Sequence, residues 1–200
     1  MRLVIGTGNR KKGTELARLL APLKWELLTL ADFPNPLDVA EDGDTFAANA
    51  ALKATQQARH LGEWVLADDS GLAVDAMGGV PGVYSARYAG PKATDEANNA
   101  KLLAALAGVP PEKRTARFVC HICVADPTGA IRAESEAYCR GRIIDSLHGP
   151  GGFGYDPLFL IAEYHRTFGE LSPLVKSYLS HRGRAMAALV PKLLAEGVRS

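Results

Sequence analysis

No run of 18 uncharged apolar residues occurs in the 200-residue chain, so no membrane-spanning helix is expected. The opening "MRLVIGTGNR" also lacks the apolar stretch of a signal peptide, and the protein is expected to be cytoplasmic. Charge of one sign is missing as well. The net charge is +1, with no long basic run, which argues against a nucleic-acid partner while leaving room for a local anion pocket. Cysteine is scarce and odd in number, with three residues, so a disulfide framework is not expected. Cys120 and Cys123 in "FVCHICVAD" do not make a zinc site. The stretch reads as a strand, where alternation sends the two thiols to opposite faces, and no second C-x-x-C exists. They read as small buried hydrophobes. Repeats, low-complexity tracts and linkers are absent too, and 200 residues with 47% apolar content suit a single domain over residues 1–200.

What is present alternates between strand and helix. "RLVIG" reads as a buried strand entering a Thr-Gly-Asn turn, followed from about Lys12 by leucines at helical spacing that end near Pro22. "WELLTL" is a second strand. "ADFPNPLDVAEDGD", with two prolines and five acids, is a loop. Asp44 or Thr45 can cap a long alanine-rich helix reaching about Leu61. "WVLA" (Trp64 to Ala67) is the next strand, delivering the chain to Asp68, Asp69 and Ser70. Gly78 to Gly90 is irregular, and Thr94 caps a helix stopped by Gly108 and two prolines. "TARFVCHICVAD" and "AIRAESEAYCRGRI" flank "PTG" as a long β-hairpin. A second glycine-rich loop, Gly149 to Phe159, precedes two helical segments beginning at Ser172-Pro173 and Ser180, the last with a kink expected at Pro191. The order implies α/β or α+β architecture with a mixed sheet, because the hairpin interrupts any simple βαβ alternation.

Three constellations carry chemistry. "GTGNRKKGTEL" fails both standard phosphate motifs. Thr14 follows Gly13 where a P-loop needs lysine, and Lys11 stands where the last glycine of G-x-G-x-x-G belongs. It still supplies a strand, a tight turn, a helix start, Thr7, Asn9 and lysines 11 and 12, which suit an anion. The plainer alternative is an ordinary strand-to-helix turn with solvated lysines. Glu41, Asp68 and Asp69 are carboxylates of the kind that hold magnesium on a polyphosphate, and alternation lets Asp68 and Asp69 serve different purposes. Here the alternative is a solvated turn after a strand. Lys176 with "SHR" (Ser180, His181, Arg182), and "FGYD" with Phe153 and Tyr155, could form a pocket of one aromatic face and several donors. A helix cap followed by exposed His-Arg explains the former equally simply.

These segments together resemble one family: the inosine triphosphatase, or XTP/dITP diphosphatase, Ham1-like pyrophosphatases of non-standard purine nucleotides. "TGNRKKGTEL", "EDGDTFAANAALKA", "ADDSGLAVDAMGGVPGVYSARYAG", "NNAKLLAAL", "GFGYDPLF" and "KSYLSHRGRA" occur in order from Thr7 to Ala185. The resemblance implies an elongated, two-lobed α/β fold about a central mixed sheet, with the active site in the cleft, and a homodimer. It implies hydrolysis of ITP, dITP and XTP to the monophosphate and pyrophosphate with Mg²⁺ as cofactor, cleansing the nucleotide pool of deaminated purines. Thr7, Gly8, Asn9, Arg10, Lys11 and Lys12 would cradle the triphosphate. Glu41 and Asp69 would hold Mg²⁺, with Asp69 also taking the proton of the attacking water. Ser70 would contact substrate, Phe153, Gly154, Tyr155 and Asp156 would line the nucleoside pocket, and Lys176, His181 and Arg182 would meet the base. Two positions depart from the family pattern: Lys11 stands where glycine is frequent, and Ala48 stands where glutamate is frequent. A Maf-like pyrophosphatase and a non-catalytic nucleotide sensor are the rival readings. The "SHR" and "FGYD" pairing opposes the first, and the intact acidic set opposes the second.

Overall fold

The computed structural model describes residues 2–195. Among them run β1 (Arg2–Ile5), α1 (Arg10–Leu20), β2 (Glu26–Thr29), α2 (Phe46–Leu61), β3 (Val65–Val74) and α3 (Asp95–Ala105). There follow β4 (Thr115–Ala125), β5 (Ile131–Ile143), β6 (Phe159–Ile161), β7 (Arg166–Thr167), α4 (Pro173–Leu179) and α5 (His181–Ala195). The strands form one seven-stranded sheet in the order β2-β1-β3-β4-β5-β6-β7. β1 pairs in parallel with both β2 and β3, whereas β5–β6 and β6–β7 are antiparallel. The sheet is therefore mixed and the fold is α/β, as the alternation of elements implies.

Local chemistry accounts for most boundaries. Asn9, in extended conformation, caps α1 by accepting from the Lys11 and Lys12 amides, so the helix begins at Arg10, ahead of the Lys12 start that the leucine spacing indicates. Thr45 caps α2 by accepting from Ala48 N, and Gly62 ends it in the left-handed region at φ 66°. Thr45→Ala is expected to cost about 1 kcal/mol, read from the shift in a urea unfolding midpoint. Thr94 caps α3 and Ser172 caps α4 in the same way. α5 is continuous through Pro191 from His181 to Ala195.

The largest departure from the sequence reading lies in β3. The strand does not stop at Ala67 but continues through Asp68, Asp69 and Ser70 to Val74. Both carboxylates find side-chain partners there, described below. The short strands β6 and β7, of three and two residues, have no counterpart in the sequence reading. Neither is long enough to show a period, and Phe159 closes the glycine-rich loop by opening β6.

The described chain forms two compact units. One contains the chain up to Asp69, Cys120–Ala137 and the segment from Arg182; the other contains Ser70–Val119 and Tyr138–His181. The first has two apolar clusters. Leu3, Ile5, Leu66, Cys120 and Ile122 pack with Leu16, Leu20, Met186 and Leu189 in one. Val4, Val65, Ala67, Cys123 and Ala125 pack with Ala50, Ala54 and Ala58 of α2 in the other. Cys120 and Cys123 thus face opposite sides of β4, as alternation requires, and all three cysteines are buried thiols outside any disulfide. Burial pushes the Cys123 thiol up to about 12. The second unit is built on Leu72, Val74, Leu102, Leu106, Phe118, Phe159 and Phe168.

Candidate active site

β1 leads into the first candidate segment. Gly6 N donates to Leu66 O at 2.7 Å, and a Cβ at Gly6 would stand 2.7 Å from Val65 Cγ1 and 3.3 Å from Leu66 O, so a side chain there would displace Val65. In the following turn Thr7 Oγ1 accepts from Asn9 N at 3.2 Å. Asn9 Oδ1 accepts from Lys11 N at 3.0 Å and Lys12 N at 3.2 Å. Two of the amides expected to face a phosphate are therefore capped by Asn9, while Gly8, Asn9, Arg10 and Lys11 are exposed. Lys12 turns its side chain to Asp68, with Nζ 3.7 Å from Oδ2.

Adjacent positions on β3 point to opposite faces, and the two aspartates separate accordingly. Asp68 is fully buried. Its Oδ2 accepts from Arg182 Nη2 at 3.0 Å and Nε at 3.3 Å, and Arg182 Nη1 donates to Glu15 Oε2 at 2.5 Å. Burial alone would raise the Asp68 carboxyl, but Lys12, Arg182 and Lys53 together hold it well below the usual carboxylate range. Asp69 faces α2 instead. Its Oδ2 accepts from Asn49 Nδ2 at 3.2 Å, and its Oδ1 lies 3.4 Å from Lys53 Nζ. Here burial wins: the Asp69 carboxyl is raised, with Glu41 adding to the rise and Lys53, Lys12 and Asn49 opposing it.

Asn49 and Lys53 are four residues apart and share one face of α2. Asn49 Oδ1 accepts from Gly43 N at 2.8 Å, which ties the acidic loop to the helix. Lys53 Nζ lies 3.0 Å from Glu41 Oε2 as well as near Asp69, so one ammonium bridges the two carboxylates. Burial disfavours the charged ammonium, yet Asp69, Asp68 and Glu41 outweigh it and raise its pKa. This bridge tests whether the residues fit a magnesium ion. A cation is already held between two hard oxygen donors, and Glu41 is open to water, which is the donor chemistry Mg²⁺ takes. Among the described residues no three His, Cys, Asp or Glu side chains cluster as a metal cage. Glu41 and Asp69 thus supply two oxygen donors of the kind Mg²⁺ takes, short of a full protein cage. Asn49, Lys53 and Glu15 join the site without having been expected from the sequence. The available signal was the four-residue spacing of Asn49 and Lys53, which puts both on one face of a helix.

The second unit holds the other group. Lys176, 6% exposed, donates to Asp156 Oδ2 at 2.6 Å and lies 4.6 Å above the Phe153 ring centroid. Asp156 Oδ2 also accepts from Phe153 N at 2.8 Å. Tyr155 is buried and its hydroxyl donates to Ser85 O at 2.8 Å; burial pushes the phenol up. His181 stacks on Phe118, with centroids 4.8 Å apart and rings within 12° of parallel. Phe153, Asp156 and Lys176 are thus in mutual contact, and Lys12, Asp68 and Arg182 meet in the first unit, as do Glu41 and Asp69 through Lys53. Ser70 is half-buried on β3. The chain passes between units at Asp69–Ser70 and at His181–Arg182, inside two of the motifs. Arg182 differs most from its expected position: it is 1% exposed and engaged by Asp68 and Glu15.

The fold and site define a class of mixed-sheet α/β proteins with a lysine-bridged carboxylate pair and a polar, glycine-containing turn before the first helix. Within it, residues 3–192 match the model of the Ham1 family, and the chain belongs to that family. It is 57% identical over 192 residues to the dITP/XTP pyrophosphatase of Rhodopirellula baltica, covering 96% of this chain and 92% of that one. It is 53% identical to the dITP/XTP pyrophosphatase of Desulforamulus reducens, covering 93% and 92%. Its fold matches the structure of a HAM1 protein from Coxiella burnetii with a TM-score of 0.87 at 36% identity, covering 98% and 99%.

Proposed function

We propose that this chain hydrolyses non-standard purine nucleoside triphosphates, among them dITP and XTP, to the monophosphate and pyrophosphate. The full-length similarity to relatives with that printed activity supports the reaction class. The observation that carries the chemistry is the unequal treatment of two adjacent aspartates. Asp68, buried against Lys12 and Arg182, is held ionised, whereas burial raises the Asp69 carboxyl above its ordinary value and leaves it bonded to Asn49 and Lys53.

In this reading Asp69 accepts the proton of the water that attacks the α-phosphorus. Lys53 keeps the Asp69 and Glu41 carboxylates together, and Asn49 orients Asp69. Lys12 and the turn at Thr7, Gly8, Asn9, Arg10 and Lys11 bind the phosphates. Bound Mg²⁺, held by Glu41 and Asp69, would supply charge neutralisation and acidify water. Phe153 offers the purine a face, and Lys176 and His181 offer donors near it. Those donors suit the 6-oxo group of hypoxanthine and xanthine and oppose the 6-amino group of adenine, a mismatch that can discriminate by about 10⁴–10⁵. Ser70 and Arg182 complete the substrate contacts, Arg182 from a position fixed by Asp68 and Glu15. The whole chain acts as one domain, and the working protein is a cytoplasmic homodimer. Among the described residues no helix is long and apolar enough to cross a membrane.

The test is product release from ITP, dITP, XTP, GTP and ATP with and without Mg²⁺. One pyrophosphate per IMP, dependent on Mg²⁺, with ATP far slower, is the expected result. Orthophosphate and IDP as first products would exclude attack at the α-phosphorus.

A further inference from the structure

The second unit contains a polar contact set to which nothing above gives a purpose. Gly154, in the middle of "FGYD", donates its N–H to Asp95 Oδ2 at 2.9 Å and accepts at its carbonyl from Asn99 Nδ2 at 3.0 Å. Asp95 and Asn99 lie four residues apart on α3, so a single helix face grips both backbone groups of one residue. Gly154 sits at φ 60°, in the left-handed region. A Cβ there would meet nothing within 4 Å, so conformation rather than space calls for glycine. The neighbouring Asn98 holds a second loop, donating to Ala86 O at 3.2 Å and accepting from Ala89 N at 2.8 Å.

The helix does not need these residues for its own anchorage. Leu102 and Leu106, both fully buried, already fix it in the apolar cluster. Asn99 is only 5% exposed, and a buried amide is net stabilising by only about 0.5–1.5 kcal/mol once hydrogen-bonded. An apolar side chain would serve packing as well. What the clamp does fix is geometry. Phe153 is held on one side by Asp156, which accepts its N–H, and on the other by the gripped Gly154. Its ring is the one over which Lys176 lies.

We propose that Asp95 and Asn99 are positioning residues of the nucleoside pocket: they hold Gly154, and through it the Phe153 ring, in the conformation that receives the purine. The inference rests on the reading of Phe153 and Lys176 as base-binding residues. Misplacement of a binding group by about 1 Å can cost 10²-fold, so a pair of modest hydrogen bonds has leverage out of proportion to its stability contribution.

The experiment compares Asn99→Leu, Asp95→Ala and Asp95→Asn by ITP hydrolysis, by calorimetric ITP binding in EDTA, and by thermal unfolding. Asn99→Leu and Asp95→Ala are expected to raise KM and weaken metal-free ITP binding by about tenfold or more while kcat stays within about twofold. Asp95→Asn keeps an acceptor for the Gly154 N–H and is expected to retain near-native KM. The proposal is overturned if folded Asn99→Leu and Asp95→Ala keep native KM and binding. It is equally overturned if Asp95→Asn is as damaging as Asp95→Ala, or if kcat falls at constant KM. Should Asn99→Leu fail to fold, Asn99→Ser is judged by the same split. Native protein that binds ITP in EDTA but releases no pyrophosphate from any nucleotide would defeat the functional reading alone, because binding still reports on the clamp.

Discussion

Asp69→Asn is expected to lower kcat by about 10²–10⁴-fold while leaving the protein at least as stable as the native form. The two halves of that result have one cause. The folded environment raises the Asp69 carboxyl above its ordinary value of 3.8, chiefly by burial. A carboxylate raised in this way costs stability above its folded pKa, and the cost disappears as pH falls through that value. Replacing it with a neutral amide removes the cost at neutral pH. Lys53 retains Glu41 at 3.0 Å, so the substitution does not strand the ammonium. Turnover by pyrophosphate release, alongside urea unfolding, checks both halves. A folded variant with near-native kcat would remove Asp69 from the proton-accepting role.

The neighbouring substitution behaves oppositely. Asp68→Asn is expected to destabilise the protein by about 3 kcal/mol, the lower end of the range for breaking a buried ion pair, because Glu15 still holds Arg182 Nη1. Asp68 and Arg182 are 0% and 1% exposed, so water cannot replace the lost partner. The pH dependence has a definite sign. The folded pKa of Asp68 lies below the ordinary 3.8, so its contribution is fully present above that value. It is lost as the pH falls further toward the folded pKa. The gap between native and Asp68→Asn unfolding free energies is therefore expected to be constant near neutrality and to shrink below pH 3.8. A gap that persists unchanged through that window would mean Asp68 does not hold Arg182 by charge. Adjacent residues, changed identically, should thus separate chemistry from stability.

Much of this arrangement is legible in the chain. Caps at Thr45, Thr94 and Ser172, the hairpin around "PTG", and the opposite facing of Cys120 and Cys123 follow from side-chain hydrogen bonding and the two-residue period of a strand. Alternation also indicates that Asp68 and Asp69 part company. The strand's continuation to Val74 is not legible, because polar residues end a strand unless partners distant in sequence neutralise them. Arg182 lies 114 residues from Asp68, and no local pattern announces that pairing. The spacing of Asn49 and Lys53 puts them on one helix face, but only the packing of α2 on β3 brings them to Asp69.

Local patterns in the chain fix the longer strands and helices and their caps, though not the short β6 and β7. Those depend on local hydrogen bonding and on periodicity. Which carboxylate is held ionised and which is raised is set by packing alone. Burial and charges brought from α1, α2 and α5 set those values, and such charges act through space rather than along the chain.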